Sequence, residues 1–471
     1  MDLRVMAFNI EWGGTHVSFH KVVEAIRRAD PDIVAVQEAE GNLERLAVAL
    51  GWHHDRRNHV ISRHRLIDPP GADGRYILVE VEPGKVVAVA NVHLPSDPYG
   101  EYWIRDGHSV EEVIAMERRV RLPAIQPFLE VLPQLVKKGM PVFLAGDFNS
   151  PSHDDWGRQT IDRWPYRRYS VEWPVAKAIQ AAGFRDSYRQ RHPDPLQQPG
   201  FTWWAGRPAI PDYNPGPPED WQSRIDFVWY AGAVTVTGST LVGESGAADV
   251  SIEIDPWPSD HRAVLSDFAV EAAPMPLLVA AGKRSFRRGE PVSLIYSNRT
   301  IAGSLLIVPP SGNGAGSRRI GLDKRRDTLH LTEPPPSTGR YRVVLAGSRG
   351  ETVSQNEFWI LPEDAKAVIE TTSKGFVLGE PLSLAWGNAP GNRYDWLVIY
   401  PENHAEKGDY LAWAHIGARI EGRITLDARS AVAEWPLPPG RYIAALLADD
   451  GFKRLAQSEP FIIHAAEANS E

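Results

Sequence analysis

The chain has 471 residues, a net charge of −9, 43% hydrophobic and 24% charged residues, and no cysteine. This composition is typical of a globular protein with more than one domain, and it excludes disulfides, thiolate metal ligands and cysteine nucleophiles. Residues 1–270 carry 28 Lys and Arg against 37 Asp and Glu, whereas residues 271–471 carry 23 of each. The acidic first part disfavours tight, non-specific binding to nucleic acid. No stretch is long and apolar enough to predict a transmembrane helix.

The first 270 residues alternate between helix-like and strand-like segments. Apolar residues recur at the helical period over 19–26 and 43–50, and a capping-box pattern at Ser109 predicts a long helix toward Lys138. The stretch 193–221, rich in Pro, Gly and Trp, predicts irregular loops. Strand-like apolar runs occupy 32–36, 86–90 and 141–145. This alternation predicts an α/β domain.

Six short polar signatures break out of these apolar runs. They read Phe8-Asn9-Ile10-Glu11-Trp12, Val36-Gln37-Glu38, Asn91-Val92-His93-Leu94, Gly146-Asp147-Phe148-Asn149, Arg224-Ile225-Asp226-Phe227 and Ser259-Asp260-His261-Arg262. A short strand that ends in a charged or amide residue delivers that side chain to the rim of a sheet. Several such strands at one rim would gather carboxylate, carboxamide and imidazole groups, which is the composition of a magnesium-type phosphoryl-transfer site.

Short β segments with Pro and Gly turns replace this pattern after residue 276. Gly289–Leu294 recurs as Gly379–Leu384, about 90 residues further on. Two such units predict tandem β-sandwich modules. The predicted domains are therefore a catalytic domain at 1–272, a β-sandwich at 276–362 and a second β-sandwich at 363–466.

The second module contains the segment Asp395–Tyr400, which is similar to part of the SKICH-type Ig-like modules found beside some phosphoinositide phosphatases. The simpler interpretation, a buried core strand anchored by Trp396, is favoured over this single-segment resemblance.

Taken together, the six signatures resemble the endonuclease/exonuclease/phosphatase superfamily, which includes DNase I-like nucleases, abasic-site endonucleases, bacterial sphingomyelinases and inositol polyphosphate 5-phosphatases. The resemblance covers residues 1–270, and the signatures follow the family order. It implies an α/β four-layer sandwich, in which two packed mixed β-sheets are flanked by helices and carry the site on one rim. Two all-β, Ig-like sandwich domains would follow.

The resemblance also implies a site for Mg²⁺ or Mn²⁺. Glu38 would be the principal ligand, and a carboxylate supplies the hard oxygen that these cations prefer. Asn9 would contact phosphate or metal. Glu11 lies two positions on, so an extended strand would point both side chains the same way. It is either a second metal ligand or a solvated acid of the rim. Asp260 would face the metal or the attacking water.

The catalytic residues implied by the resemblance are His93, Asp147, Asn149, Asp226 and His261. Asp147 would orient or deprotonate the attacking water, and Asn149 would hold that water or a phosphoryl oxygen. His93 would donate to a non-bridging oxygen or protonate the leaving group. In the Asp226–His261 pair, the carboxylate would fix the imidazole tautomer and favour the imidazolium. Phosphate binding would fall to Asn9, Asn149 and His93.

Other roles found in the family could fall to Arg118, Arg119, Tyr99 or Trp203. No motif is strong enough to assign these roles to particular residues. The run Phe201–Trp204 resembles a segment that shapes the sugar pocket of abasic-site nucleases. Core packing of a Trp-rich loop accounts for it equally well.

The sequence therefore predicts a divalent-metal-dependent phosphoesterase. The favoured form is a phosphodiesterase that hydrolyses a small or lipid-derived phosphate ester by in-line attack of water. One alternative is a DNA or RNA endonuclease of the DNase I-like type. A further alternative is an inactive binding protein on the same fold.

The β-sandwich modules are expected to dock on the catalytic domain or to bind a surface. The chain shows no signal peptide at its start. Tandem β-sandwich tails are nevertheless common on exported bacterial enzymes, so a periplasmic or secreted location with the leader absent from this chain stays open.

Overall fold

The computed structural model of the chain describes residues 1–206, 222–297, 303–310, 316–322, 327–331, 333, 335–403, 408–427, 432–433 and 435–465. It divides into two compact units. The first comprises Met1–Ile67 and Arg75–Met275, and the second comprises Asp68–Gly74 and Pro276–Glu471. The predicted limits at 272, 276, 362, 363 and 466 stay a prediction.

The first unit contains two mixed seven-stranded sheets. Its strands are β1 Asp2–Asn9, β2 Ile33–Gln37, β3 His53–Asp55, β4 Val60–Ser62, β5 Arg65–Ile67, β6 Ile77–Glu82, β7 Lys85–His93, β8 Val142–Asp147, β9 Arg185–Asp186, β10 Asp226–Ala231, β11 Val234–Gly243, β12 Val250–Glu253, β13 Ala263–Val270 and β14 Ala273–Pro274. The first sheet has the order β12-β11-β13-β1-β2-β4-β3. The second has the order β5-β6-β7-β8-β10-β9, with β14 paired to β7.

Strand β1 illustrates why the sheets pack face to face. Its side chains alternate between two sides, and Val5 and Ala7 pack with Val89 and Phe143 of the second sheet. The other side of β1 carries Met6 and Phe8 toward the first pair of helices. One apolar layer therefore lies between the sheets and another lies beneath helices, as the predicted four-layer sandwich requires.

The helices of this unit are α1 Phe19–Ala29, α2 Leu43–Leu50, α3 Gly100–Arg105, α4 Val110–Lys137, α5 Arg158–Ile161, α6 Pro174–Ala181 and α7 Ser187–Arg191, with 3-10 turns at Trp12–Gly14, His153–Asp155 and Pro165–Arg167. Helices α1, α2 and α4 lie where the sequence patterns predict them, and the other four helices were not predicted. The capping box at Ser109 is confirmed, because its side chain accepts from the amide of Glu112 and the Glu112 side chain accepts from the amide of Ser109. Helix α2 ends at Gly51 in the left-handed conformation that glycine favours.

The second unit is built from β-strands in several separate sheets. They are β15 Leu278–Ala281, β16 Ser285–Arg287, β17 Ser293–Ser297, β18 Ser304–Val308, β19 Arg318–Gly321, β20 Thr328–His330, β21 Gly339–Ala346, β22 Thr352–Leu361, β23 Val368–Thr371, β24 Gly375–Val377, β25 Leu382–Gly387, β26 Trp396–Pro401, β27 Ala412–His415, β28 Gly422–Leu426, β29 Val432–Ala433, β30 Gly440–Leu447, β31 Arg454–Gln457 and β32 Phe461–His464. The sheet orders are β15-β17-β20, β16-β22-β21-β18-β19, β23-β25-β28 and β24-β32-β30-β26-β27-β29 with β31 beside β30.

Two large apolar clusters and two smaller ones lie against these sheets in the described residues, and Trp396 belongs to one of the smaller ones. One large cluster joins residues between Val279 and Ile360, and the other large cluster joins residues between Ile369 and Ile463. Trp396 is buried, and its indole N–H donates to the carbonyl of Gly451 at 3.0 Å. This geometry agrees with the simpler interpretation of the segment Asp395–Tyr400.

Among the described residues, the helices include none with both the length and the hydropathy to cross a membrane.

Candidate active site

The strand pairing brings the six signatures to one edge of the first unit. Strands β1 and β2 are parallel, and β13 runs antiparallel to β1. The ends of β1 and β2 and the start of β13 therefore meet. In the second sheet, β7 and β8 are parallel and β10 is antiparallel to β8, so the ends of β7 and β8 meet the start of β10. The predicted residues lie at these positions.

Asp147 sits at the centre of this edge. The register pairs it with His93 of β7 on one side and Asp226 of β10 on the other. Gly146 before it has φ of 137°, and a Cβ there would lie 2.0 Å from the carbonyl oxygen of Val92. A side chain at this position would force β7 and β8 apart, so the Gly-Asp pair is a structural requirement of the site.

The carboxyl group of Asp147 is buried among charged and polar partners. Its Oδ2 atom lies 3.6 Å from Nε2 of His93 and 3.7 Å from Nε2 of His261. The amide of Asn149 donates to Oδ1 at 2.8 Å. Burial raises the pKa of Asp147, and the charge of Asp226 acts in the same direction, while the two imidazoles oppose it. The group is therefore poised to exchange a proton above the usual range of an aspartate.

Asn9 links the two sheets. Its Nδ2 atom donates to Glu38 at 3.0 Å and to Asp147 at 3.1 Å, and it lies 3.4 Å from Nε2 of His261. One carboxamide group therefore orients two carboxylates without adding charge. The second oxygen of Glu38 accepts from the amide of Trp12 at 3.2 Å.

The extended geometry expected for Glu11 is wrong. Strand β1 ends at Asn9, and Glu11 has φ of 52° outside it. Its amide donates to Oδ1 of Asn9, and its side chain accepts from the amide of Asp260 at 3.1 Å. Glu11 is only 2% exposed, which is inconsistent with a solvated rim acid. The turn Trp12–Gly14 folds the chain back and buries the carboxylate that strand alternation would have placed at the rim.

His261 and Asp226 form a buried pair. Nδ1 of His261 lies 2.9 Å from Oδ2 of Asp226. Burial alone would lower the pKa of His261, but the carboxylates of Asp226, Asp260 and Asp147 outweigh it and raise the pKa well above its ordinary value. The imidazole is therefore held as a cation whose Nε2 faces Asp147 and Asn9.

The backbone around His261 is fixed by hydrogen bonds from three directions. Ser259 Oγ donates to the carbonyl of Asn9 at 2.7 Å and accepts from the amide of His261 at 3.0 Å. The Trp257 indole donates to the carbonyl of His261 at 2.8 Å. These contacts connect the start of β13 to the end of β1, so that the imidazole is held in position before any ligand binds.

Asn149 also adopts an uncommon conformation, with φ of 46°. Its Nδ2 atom donates to the carbonyl of Leu94 at 3.0 Å and lies 3.4 Å from Oδ2 of Asp147. The residue therefore joins the segment after β7 to the segment after β8. Asparagine tolerates this backbone region better than most residues.

This edge is rich in carboxylate and carboxamide oxygens, whereas His261 as a cation has no free ring nitrogen to offer a metal. Asp147, Asp226 and His261 each place one nitrogen or oxygen atom within 4.8 Å of the others. In the described part of the chain, this is the cluster of three His and acidic side chains that lie close enough to share a metal ion. Oδ1 of Asp226 is buried without a hydrogen-bond partner among the described residues. Carboxylate and carboxamide oxygens are the ligands that Mg²⁺ and Mn²⁺ prefer.

Sequence reasoning missed a buried polar group beside the site. Glu101 is fully buried and accepts from the Tyr99 hydroxyl at 2.6 Å and the Ser223 hydroxyl at 2.8 Å. Burial raises the pKa of Glu101 to about 7, against the lowering effect of these hydrogen bonds. Ser223 pairs through its backbone with Trp203. No local sequence signal marks this cluster, because its members are brought together by folding.

A second missed feature is the ion pair between Glu117 and Arg121 on α4. Both side chains are completely buried, and Nη1 of Arg121 lies 2.6 Å from Glu117. Arg121 also donates to the carbonyls of Ser96 and Pro98, while Ser150 donates to Glu117 at 3.0 Å. The pair thereby ties together the segments that follow His93 and Asn149. Its spacing of four residues on a helix is the signal that could have indicated it.

The run Phe201–Trp204 lies against the site. The indole N–H of Trp203 donates to Oδ2 of Asp260 at 3.2 Å, and its ring centroid is 6.4 Å from that of His261. Phe201 is buried, so this run both packs and borders the site. Arg118 and Arg119 are exposed on α4. Residues 207–221 of the predicted loop lie outside the described residues.

The chain shares sequence similarity with a known protein family and with a protein of known sequence. Residues 6–261 match the sequence model of the Endonuclease/Exonuclease/phosphatase family. The chain is 32% identical over 292 residues to an uncharacterized protein of Caenorhabditis elegans, an alignment that covers 56% of this chain and 91% of that protein.

Solved structures with similarity include an endonuclease/exonuclease/phosphatase from Beutenbergia cavernae, with 18% identity, a TM-score of 0.36, and coverage of 76% of this chain and 100% of the other. A mannosyl-6-phosphatase of Bacteroides thetaiotaomicron has 15% identity, a TM-score of 0.32, and coverage of 57% and 99%.

Proposed function

Because the chain belongs to the endonuclease/exonuclease/phosphatase family, whose members are generally metal-dependent hydrolases of phosphoesters, we propose that it is a phosphodiesterase acting on a small or lipid-derived phosphate ester. The observation that carries this proposal is the convergence of Asn9, Glu38, Asp147 and His261 through contacts of 3.0 to 3.7 Å. These groups can bind a phosphoryl group and position a water molecule for attack.

Mg²⁺ or Mn²⁺ would be held by Glu38 and Asp260, with Glu11 and Asn9 as further ligands. A bound divalent ion polarises the phosphoryl group and neutralises charge on the leaving oxygen. Nδ1 of His261 is already engaged by Asp226 at 2.9 Å. For this reason we assign the ligand role to the carboxylates around Glu38 rather than to that pair.

Side chains of the protein supply proton transfer, charge stabilisation and hydrogen bonds to the substrate. Asp147, with its raised pKa, orients the attacking water and accepts its proton. The cationic His261, held by Asp226, stabilises the negative charge that develops on phosphate oxygens. Asn149 and His93 donate hydrogen bonds to the non-bridging oxygens, and Asn9, whose Nδ2 already donates to Glu38 and Asp147, orients these two carboxylates. No covalent nucleophile is required for this reaction.

The charge of the first 270 residues supports a small or lipid-derived ester over a nucleic acid. With 28 basic against 37 acidic residues, this part of the chain repels a polyanion at long range. A compact diester has one phosphate and avoids most of that repulsion.

The test is a substrate panel with the full chain, in Mg²⁺, Mn²⁺ or EDTA. It contains p-nitrophenyl phosphate, bis(p-nitrophenyl) phosphate and supercoiled plasmid. We expect the bis-ester to be the preferred substrate, EDTA to abolish its hydrolysis, and Glu38→Ala to be inactive. Equal turnover in EDTA would contradict metal dependence. Plasmid nicking that exceeds hydrolysis of the bis-ester would favour the endonuclease alternative.

A further inference from the structure

Trp12 exposes its ring beside the site. It is 54% exposed, and it is the one tryptophan among the exposed large hydrophobic residues of the described ranges. Other tryptophans of this unit, such as Trp156, Trp173, Trp229 and Trp257, are fully buried. An indole left in water lacks the large favourable free energy that its burial would contribute. Packing therefore does not account for the exposed position of Trp12.

The backbone of Trp12 is anchored directly to the phosphate-handling cluster. Its amide donates to Oε2 of Glu38 at 3.2 Å, and the other oxygen of Glu38 accepts from Asn9. The indole therefore extends from a backbone position that contacts a carboxylate that we assign to the metal. A substrate whose phosphate lies beside Asn9 would bring its organic group toward this indole.

The turn that presents the ring is rigid and strained. Trp12 has φ of 45°, in the left-handed region that a bulky residue rarely occupies. Gly13 donates to the carbonyl of Glu38 at 2.8 Å, and Gly14 donates to the carbonyl of Glu11 at 2.8 Å. Asn42 Nδ2 donates to the carbonyl of Gly13 at 2.9 Å. Strain of this kind, held in place by surrounding hydrogen bonds, is typical of ligand-binding positions.

The ring itself is oriented by a neighbour. Trp12 and His16 form a T-shaped contact with centroids 4.9 Å apart and planes at 79°. This contact limits rotation of the indole while more than half of the side chain stays accessible. A fixed, accessible aromatic face binds flat groups by stacking, and it does so with little loss of side-chain entropy.

We infer that Trp12 is a specificity-determining residue that stacks on a ring in the organic group of the ester, either a nucleobase or the apolar face of a sugar. The inference rests on the proposed phosphoesterase function. The two ring types share the chemistry of a flat, weakly polar face, and the experiment separates them. Trp203 borders a different part of the cluster, since its indole bonds to Asp260 rather than to Glu38.

The experiment uses methyl phosphodiesters, whose common leaving group, methanol, carries no ring, with a variable second group. The second groups are thymidine 5′-yl, a hexose 6-yl and ethyl, and a coupled alcohol oxidase assay of methanol release serves every substrate. The variants of the full chain are Trp12→Ala, Trp12→Leu and Trp12→Phe, with Val48→Ala as a matched control on another exposed hydrophobic residue. The backbone amide that contacts Glu38 is retained in every variant.

We expect Trp12→Ala and Trp12→Leu to raise KM about tenfold for a ring-bearing ester, with kcat nearly unchanged and with the ethyl ester unaffected. Trp12→Phe should keep most of the affinity because it keeps a ring face. The affected ester identifies the base or the sugar. Equal losses on the ethyl ester, or unchanged KM for both ring-bearing esters, would overturn the inference.

A binding titration separates this inference from the proposed function. If the wild type hydrolyses none of the esters, the proposed function fails. Calorimetric titration with thymidine 5′-monophosphate and with hexose 6-phosphate then still tests the stacking. Weaker binding by Trp12→Ala than by the wild type would support it, and equal binding or no binding would refute it.

Discussion

Two buried aspartates, Asp147 in the first unit and Asp395 in the second, show how differently the two units use a buried charge. Both are inaccessible to solvent, and burial raises the pKa of each, that of Asp395 to about 7. Asp395 accepts from the amide and the side chain of Asn392, three residues away, and from the amide of Asp449. Its role is to hold loops of a β unit together.

The partners of Asp147 come from distant parts of the chain. Asn9, 138 residues earlier, donates to it, and His93 and His261 face the same oxygen. A second carboxylate, Asp226, opposes its ionisation. Folding gains little from placing like charges together in a buried site. The comparison teaches that a buried acid held by amide donors serves stability, whereas one that also faces two imidazoles serves chemistry.

The largest expected effect tests this contrast directly. Glu38→Ala, Asp147→Asn and His261→Ala should each lower kcat/KM by about 10³-fold or more, because each removes a group that binds, orients or neutralises the reacting atoms. The measurement is steady-state hydrolysis of the best ester of the panel, with circular dichroism as a check on folding. Asp395→Asn is the matched control and should retain wild-type kcat/KM. Wild-type turnover by any of the three variants would remove that residue from the site.

The ion pair behind the site should show the largest effect on stability. Burial raises the pKa of Glu117 to about 7, so the test is made at about pH 8, where Arg121→Met leaves a buried carboxylate without its partner and should cost about 3–5 kcal/mol of the free energy of unfolding. Urea unfolding followed by fluorescence measures it. The double variant with Glu117→Gln and Arg121→Met should recover most of the loss, since no charge is then buried alone. If the double variant were as unstable as the single one, packing rather than charge would explain the effect.

The pH dependence of stability should change in Glu101→Gln. The pKa of Glu101 is raised from 4.5 to about 7 in the folded protein, so the folded state keeps a proton that the unfolded state has lost. This proton stabilises the folded state fully below about pH 4.5. The stabilisation is lost as the pH rises from about 4.5 to about 7, by about 3 kcal/mol in the free energy of unfolding.

Urea unfolding at about pH 5 and about pH 8 measures this difference. The wild type should lose more stability between the two than Glu101→Gln does. Identical pH dependence in both proteins would mean that Glu101 does not carry the effect.

The smallest expected effect concerns the second unit. Asp395→Ala should cost about 1–3 kcal/mol, because the amides of Asn392 and Asp449 lose their acceptor. Thermal unfolding measures the loss, and ester hydrolysis should be unaltered. A large fall in kcat/KM in a folded Asp395→Ala protein would break the contrast between the two aspartates.

Much of the fold and the position of the site could be predicted from the sequence. The short apolar runs at 32–36, 86–90 and 141–145 are a local signal, and β2, β7 and β8 form there. The four-layer sandwich and the family are confirmed. The roles assigned to individual site residues stay predictions.

The sequence by itself determined which chemical groups are available and in which order, because strand periodicity and short polar signatures are properties of neighbouring residues. Only the tertiary structure decided that Glu11 is buried, that Glu101 meets Ser223 across 122 positions of the chain, and that Trp12 stays exposed beside Glu38. These outcomes depend on strand pairing and turn geometry over long separations. Such pairings cannot be read from a single sequence, because they are decided only when distant segments pack into the same core.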